Sequence, residues 1–363
     1  MAVLSEFKAL APIHNPSGGE ADIRRYIIEK LASLGLNDLT VDDAGNLLVR
    51  VPGNPNLETI MLSAHMDSVP PCAGIVPVED IRLGRAIIRS EGKTILGADD
   101  KAGIAVILDL MRRLAEEGLQ QNHPLELFFS TGEEVGLTGA KAFDVQQVKA
   151  KRCYVLDGEG RVGLIFNAGP SQENIQIFCR GKAAHAGISP DAGLSAVQMG
   201  AALCASLPSG RLSELLTCNI GIVDGGNAIN IIPPELTIRG EMRSHDEALL
   251  LGLVQTYESG CKTVEKRFSD GTVQFQHTRR YHHFYVDPDS AVIEWARQHA
   301  SNMGLTPLLA PMNIGSDAHI LNRHGLPTVV LGMGFHYSHS LGEFIYCQEL
   351  MQVTELTWRL VHR

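Results

Sequence analysis

Five short stretches place aspartate, glutamate or histidine just past an apolar run or at a sharp turn. They are "SAHMDSVP" (63–70), "LGADDKAG" (96–103), "STGEEVGLTGA" (130–140), "CYVLDGEG" (153–160) and "HYSHSLGEF" (336–344). In the first, His65 and Asp67 are two apart and point the same way on an extended chain. That suits a metal-ligating imidazole whose other ring nitrogen is fixed by a carboxylate. In the second, one aspartate suffices to cap the helix that follows. The other of the Asp99–Asp100 pair is left without a role unless a cation sits nearby, and Asp99 is a candidate bridge between two cations. In the third, Glu133 and Glu134 repel each other in a loop. A cation resolves this: Glu134 binds it, and Glu133 faces the bound water as general base. Asp157 follows the strand "YVL", and His336 and His339 lie in a late Gly-rich loop.

Taken singly, each stretch has a bland reading: a polar strand end, a helix cap, a solvated pair, a turn aspartate, a loop histidine. Taken together they combine two imidazoles with several carboxylates. That set suits zinc, cobalt or manganese and is too rich in nitrogen for a calcium cage. The seven cysteines show no CxxC pair, and none accompanies the set. Several, such as Cys179 and Cys204, lie in apolar runs and read as buried thiols.

Elements of two kinds must position these residues. The first half alternates: helix "DIRRYIIEKLASLG" ending at Gly35, strand "ETIMLSAHMD", helix "KAGIAVILDLMRRLAEEG", strands "PLELFFS" and "KRCYVLDG". This rhythm predicts an α/β domain, with a mixed, largely parallel sheet flanked by helices. Ligand sites on such sheets form beyond the carboxyl ends of the strands, where the five stretches fall. Near residue 169 the pattern becomes β-α-β-β-α-β. It comprises strand "ENIQIFCRGKAA", helix "SPDAGLSAVQMGAALCASL", strands "TCNIGIVDGG" and "ELTIRGEMRS", a helix over 246–267 and strand "TVQFQHTRR". That order is the ferredoxin-like α+β pattern. The first pattern then returns, with helix "SAVIEWARQHASNMG", short helix "SDAHILNRHG", strand "PTVVLGMG" and a terminal helix. The expected division is a catalytic domain over 1–168 and 283–363, with a domain inserted at 169–282.

The chain has 363 residues, 44% hydrophobic and 20% charged, and a formal net charge of −10. Its length fits two domains. The acidic balance disfavours nucleic acid or an anionic membrane as partner. No run approaches the roughly 18–20 apolar residues of a membrane helix. The first residues lack the pattern of a secretory leader, so the expected compartment is the cytoplasm.

The ordered set "AHMD", "GADDKAG", "STGEEVGLTGA", "VLDG", "HAGISPDAG" and "HSLGEF" resembles the co-catalytic metallopeptidases that include peptidase T, carboxypeptidase G and the acyl-amino-acid deacylases. The likeness runs from about residue 10 to the C-terminus. "GADDKAGIA" and "GEEVGLTGA" are most similar to the peptidase T branch. The resemblance implies that His65, Asp99 and Asp157 hold one metal, with Asp99 bridging, and that Glu134 and His339 complete the second. Asp67 would orient His65, Glu133 would be the base, and the Asp99–Asp100 peptide would be cis. From the inserted domain, His185 would steady the oxyanion in a neighbouring subunit's site. Arg243 would clamp a substrate carboxylate, and Asn230 would make a polar substrate contact. The implied cofactors are two divalent ions, zinc first, with cobalt or manganese as alternatives. The implied assembly is a homodimer through the inserted domain, which would also act as a lid. The expected activity is aminopeptidase cleavage of small peptides. Carboxypeptidase or N-acyl-amino-acid amidohydrolase activity remains open, because these share the motifs. A catalytically silent ligand-binding homologue is disfavoured by the unbroken metal set and by Glu133. A two-metal phosphoesterase is disfavoured because no Gly-rich phosphate cradle accompanies the site.

Overall fold

The computed structural model describes residues 2–362. They form two compact units: one runs to Gly169 and resumes at Phe284, and the other is Pro170–His283.

The first unit is built on a nine-stranded sheet. Along it lie Leu39–Val41, Leu47–Val51, Leu125–Ser130, Ile60–His65, Arg152–Gly158, Thr328–Gly332, Leu164–Gly169 and Phe284–Tyr285, with Leu308–Pro311 paired to Leu164–Gly169 off this path. The four central strands, Leu125–Ser130 through Thr328–Gly332, run parallel, and the flanks are mostly antiparallel. Ile60–His65, Leu125–Ser130 and Thr328–Gly332 are buried at every position. Such continuous burial marks strands covered on both faces. Because they are parallel, their C-terminal ends emerge at one edge. His65 stands directly beside Ser130 in the register, and Asp157 lies one residue from the end of its strand. His65, the 130–134 loop and Asp157 are thereby delivered to one place.

Helix Ala98–Glu117 covers this sheet and also packs against helices Ala2–Leu10 and Cys347–Val361. Ile104, Ile107, Leu108, Met111 and Leu114 are buried on it. Each such side chain contributes about 1.5–3 kcal/mol of burial. Lys101 anchors the helix start: its buried Nζ donates to the carbonyls of Ala11 and Ile13, both at 2.8 Å. Helix Ala21–Ser33 buries Ile23, Ile27 and Leu31 at a spacing of four, the stripe of an amphipathic helix. It stops at Gly35, whose φ of 79° is the left-handed value that glycine adopts most readily. A second, four-stranded antiparallel sheet in this unit joins Phe335–His336, Phe344–Tyr346, Arg85–Ser90 and Pro77–Arg82.

The inserted unit is one antiparallel sheet with order Gly210–Arg211, Leu216–Gly225, Glu235–Ser244, Ser171–Arg180, Thr272–Tyr281. Helices Ala196–Ser206 and Glu247–Arg267 cover it. Its four long strands and two helices follow the split βαβ order. Ile175, Ile177 and Cys179 alternate inward and meet Met199, Leu203, Leu250, Tyr257 and Cys261 in one core. The helix expected from Ser189 onward begins only at Ala196. Pro190–Ala192 form a 3-10 turn, Leu194 bridges to Lys182, and Ser195 caps the helix by accepting from Gln198 N at 3.3 Å. A serine that satisfies an orphan amide of the first turn fixes the start there.

Candidate metal centre

At the C-terminal edge of the parallel strands, Asp99 stands between two histidines. His65 Nε2 lies 2.8 Å from Asp99 Oδ1 and 3.6 Å from Asp157 Oδ1. On the other side, His339 Nε2 lies 2.8 Å from Glu134 Oε1 and 3.3 Å from Asp99 Oδ2. The two oxygens of one carboxylate thus face two separate imidazole–carboxylate pairs. This is the arrangement of a bridging ligand. The five expected ligands are brought together: His65, Asp99 and Asp157 to one side, Glu134 and His339 to the other.

The local backbone makes this possible. Asp99 and Asp100 depart from helical angles inside the first turn, and the peptide between them is cis. Asp100 turns inward, its oxygens taken by the amides of His65 and Gly103, each at 3.0 Å, and Asp99 faces the cluster. His339 adopts φ 62°, a left-handed conformation uncommon outside glycine though less so for histidine. Glu159, two residues past Asp157, holds that loop by accepting from Tyr337 N at 2.9 Å and Ser338 Oγ at 2.7 Å.

Asp67 lies beside His65, but its carboxylate has closer partners than that ring. His65 Nδ1 is 3.0 Å from the Asp67 carbonyl and 3.4 Å from its carboxylate, so the closer partner is the backbone oxygen. The carboxylate instead accepts from Glu133 N at 2.9 Å, Glu134 N at 3.2 Å and Ser17 Oγ at 2.6 Å. It therefore sets the pose of the adjacent glutamates. Within the pair, Glu134 bonds His339. The Glu133 carboxylate has no hydrogen-bond or ion-pair partner among the described residues.

The electrostatics are those of a site that needs cations. Burial pushes Asp157 up to about 8, helped by the Asp99 charge. Burial also raises Glu133 well above the usual carboxylate range, with the Asp157 and Glu134 charges adding to it. Asp99 shows the opposite balance: burial would raise it, but hydrogen bonds from His339 and His65 hold it low. Those same contacts, first with Asp99 and then with Glu134, carry His339 up to about 10. Burial pushes the His65 imidazole down, yet the Asp157 charge and its carboxylate hydrogen bonds keep it well above its ordinary value. Four crowded carboxylates with two imidazoles cannot all ionise without compensating positive charge. Two divalent cations supply it, and the mix of nitrogen and oxygen donors suits first-row transition metals. The residues present fit the ions that the sequence implied.

Of the three residues carried over from the inserted domain, His185 and Asn230 are neighbours within that unit. Ala186 N donates to the Asn230 carbonyl at 2.9 Å, and His185 bridges Ile231. His185 Nδ1 accepts from Gly187 N and Ile188 N, both at 3.1 Å. An accepting Nδ1 puts the proton of the neutral ring on Nε2, leaving a donor free on an exposed side chain. Arg243 lies in strand Glu235–Ser244, and its fork embraces Glu241 at 2.9 and 3.0 Å.

Sequence reasoning missed the supports. Ser17 braces Asp67, and Glu20 accepts from Gly132 N at 3.1 Å. Asp317 is buried and bonded to Ser130; burial raises its carboxyl to about 6. Glu343 accepts three amides around Asp99. The one available signal for Ser17 and Glu20 was the Pro-Ser-Gly-Gly-Glu turn ahead of the first amphipathic helix.

A mixed α/β sheet whose carboxyl edge gathers two histidines and four carboxylates, Asp99 among them, has the build of a metal-dependent hydrolase. Within that class, the chain belongs to Peptidase family M20/M25/M40, whose model matches residues 61–363. It is 32% identical to the uncharacterised protein YqjE of Bacillus subtilis (strain 168), over 99% of this chain and 97% of that one. It is 25% identical to peptidase T of Clostridium novyi (strain NT), over 96% and 93%. Among solved structures, it is similar to aminopeptidase PepT from Bacillus cereus ATCC 10987, with 34% identity, TM-score 0.87 and coverage of 99% and 97%. It is also similar to a tripeptidase from Staphylococcus aureus, with 30% identity, TM-score 0.92 and the same coverage. The peptidase T branch singled out from "GADDKAGIA" and "GEEVGLTGA" is therefore the right one.

Proposed function

We propose that this chain is a peptidase T-like aminopeptidase that releases residues from small peptides, with two zinc ions as cofactors. The observation that carries this is the division within the glutamate pair. Glu134 is engaged by His339 at 2.8 Å, while the adjacent Glu133 carboxylate is uncommitted beside it. Divalent ions bound by His65, Asp99, Asp157, Glu134 and His339 would supply Lewis acidity and a water of lowered pKa. Glu133 takes the proton of the attacking water and passes it to the leaving amine. Asp67, through the amides of Glu133 and Glu134, holds that base in place. His185 of a second subunit donates from Nε2 to the developing oxyanion, a contact worth roughly 3–4 kcal/mol in enzymes where one such donor was removed. Arg243 exchanges Glu241 for a substrate carboxylate in the two-pronged geometry that guanidinium favours, and Asn230 makes a polar contact with substrate.

The second subunit is a further copy of this chain, docked through the inserted unit. Support comes from strand Leu216–Gly225, whose outer edge pairs only at Thr217 and Cys218 among the described residues. The unpaired stretch carries half-exposed Ile222 and Val223, and an open apolar edge invites strand addition. Among the described residues, no helix is long and apolar enough to cross a membrane. All seven cysteines are free, six of them buried, which fits a reducing compartment such as the cytoplasm.

The test is a substrate panel offered to the zinc-loaded protein: di- and tripeptides, N-acylated and C-terminally blocked peptides, and N-acyl amino acids. Tripeptides with a free N-terminus should be cleaved fastest. Preference for N-acyl amino acids would replace this reading with an amidohydrolase, and preference for N-blocked peptides with a carboxypeptidase.

A further inference from the structure

The final motif, "HSLGEF", contains one acid, and the mechanism does not use it. Glu343 is 1% exposed, yet among the described residues its carboxyl group makes no hydrogen bond or ion pair to an expected ligand side chain. Its carboxylate is spent on backbone. Oε2 accepts from Leu96 N and Gly97 N, both at 2.8 Å, and Oε1 accepts from Asp99 N at 3.2 Å. These three amides belong to the turn that enters helix Ala98–Glu117 and presents Asp99. Gly97 takes φ 69° there, a left-handed turn that glycine enters without strain. Two oxygens that accept from three amides tie the side chain to this turn at three points.

The other end of this brace is equally well defined. Glu343 lies four residues past His339, and the intervening turn is closed on itself. Glu343 N donates to the Ser340 carbonyl at 3.2 Å, Gly342 N to Ser340 Oγ at 3.2 Å, and Ser340 Oγ to the Tyr337 carbonyl at 2.7 Å. His339 and Glu343 therefore sit on one small, internally hydrogen-bonded loop. That loop touches the Asp99 segment twice: through His339 Nε2 to Asp99 Oδ2 at 3.3 Å, and through Glu343 to the amides behind Asp99.

We propose that Glu343 is a positioning residue that fixes the spacing of Asp99 and His339, and hence the occupancy of the metal position those two residues share with Glu134. The inference rests on the two-metal reading above. It assigns Glu343 no contact with substrate or ion. Its effect falls more heavily on that position: both His339 and Asp99 depend on Glu343 there, whereas the other position shares only Asp99 and keeps His65 and Asp157, which lie on other strands.

The test is stepwise cobalt(II) titration of the metal-depleted full chain, followed by visible absorption and chelator competition. It compares wild type with Glu343→Gln, Glu343→Ala and the double variant Glu343→Ala/His339→Ala. Glutamine keeps the volume of the side chain but offers one acceptor oxygen to three amides. Loss of an outer partner of a metal ligand typically lowers affinity about 10- to 100-fold. That loss is expected for the second ion in both single variants, with the first ion, which shares only Asp99, weakened less. Adding Glu343→Ala to His339→Ala should cost nothing further. Two ions bound with wild-type affinity in Glu343→Ala would overturn the inference alone. Equal weakening of both ions in Glu343→Gln would also overturn it, by showing a general structural role. Fewer than two ions in wild type would instead overturn the two-metal reading, and the inference with it.

Discussion

Replacing Glu133 by glutamine separates catalysis from architecture. The Glu133 carboxylate has no hydrogen-bond or ion-pair partner among the described residues, so the change breaks no contact of that side chain. Its backbone amide still donates to Asp67 Oδ1 at 2.9 Å, so the loop that carries Glu134 is unaffected. Burial and the neighbouring Asp157 and Glu134 charges already oppose ionisation of Glu133, so a neutral amide leaves the metal-free fold at least as stable. Metal content should therefore stay at two ions and the unfolding temperature should not fall. Turnover should collapse, because the amide cannot accept the proton of the attacking water. A positioned general base is worth about 10²- to 10⁴-fold, or about 2.7–5.4 kcal/mol at 1.36 kcal/mol per decade. The assay is kcat on a tripeptide at saturating substrate, with metal counted by mass spectrometry on the same sample. Turnover within tenfold of wild type would refute the base assignment. Loss of an ion would show instead that Glu133 is a ligand.

Further expectations concern the ions and the inserted unit. His339→Ala removes one of the residues around the second position and should reduce bound metal from two ions to one; two retained ions would exclude His339 as a ligand. In the metal-free protein His339 is carried up to about 10, chiefly by its Asp99 and Glu134 contacts, so at neutral pH it holds a proton that metal must expel. Apparent metal affinity should thus rise with pH between about 6 and 8 and fall on acidification, and affinity flat with pH in chelator competition would contradict this. In the inserted unit, burial would raise Glu247, but hydrogen bonds from Ser171 and Arg279 bring it down to about 2. Its folded value lies below the unfolded one of about 4.3, so its stabilisation is present above that pH and lost as pH falls toward 2. Glu247→Gln should therefore be less stable than wild type at pH 7 in denaturant unfolding, with the gap closing near pH 2; an undiminished gap at low pH would refute the linkage. Replacing Val223 by lysine places charge on the open strand edge and should shift the protein toward monomer in light scattering, and an unchanged mass would exclude that edge as the interface.

The residues whose side chains gather at the candidate site were legible because their types are costly elsewhere. A second aspartate at a helix start and a second glutamate in a loop have no packing purpose, and both turn out to face the same two histidines. The strands that carry them were legible for a related reason: "IMLSAH" and "LELFFS" are continuous apolar runs, which only a covered sheet needs. What escaped were the residues that act through backbone. Asp67 was read as the partner of His65 from their spacing, but its carboxylate is closer to the amides of Glu133 and Glu134, sixty-six and sixty-seven residues away in sequence. Every residue offers an identical amide, so no side-chain pattern announces such a bond. Glu343 escaped in the same way, hidden as one acid in a motif noticed for its histidines. The sheet Pro77–Arg82 and Arg85–Ser90 was missed because four of the six residues in its first strand are exposed, which leaves no apolar alternation to detect. The metal centre thus has two layers. Side-chain donors are local and readable, whereas the carboxylates that aim them are set by amides brought close only by folding.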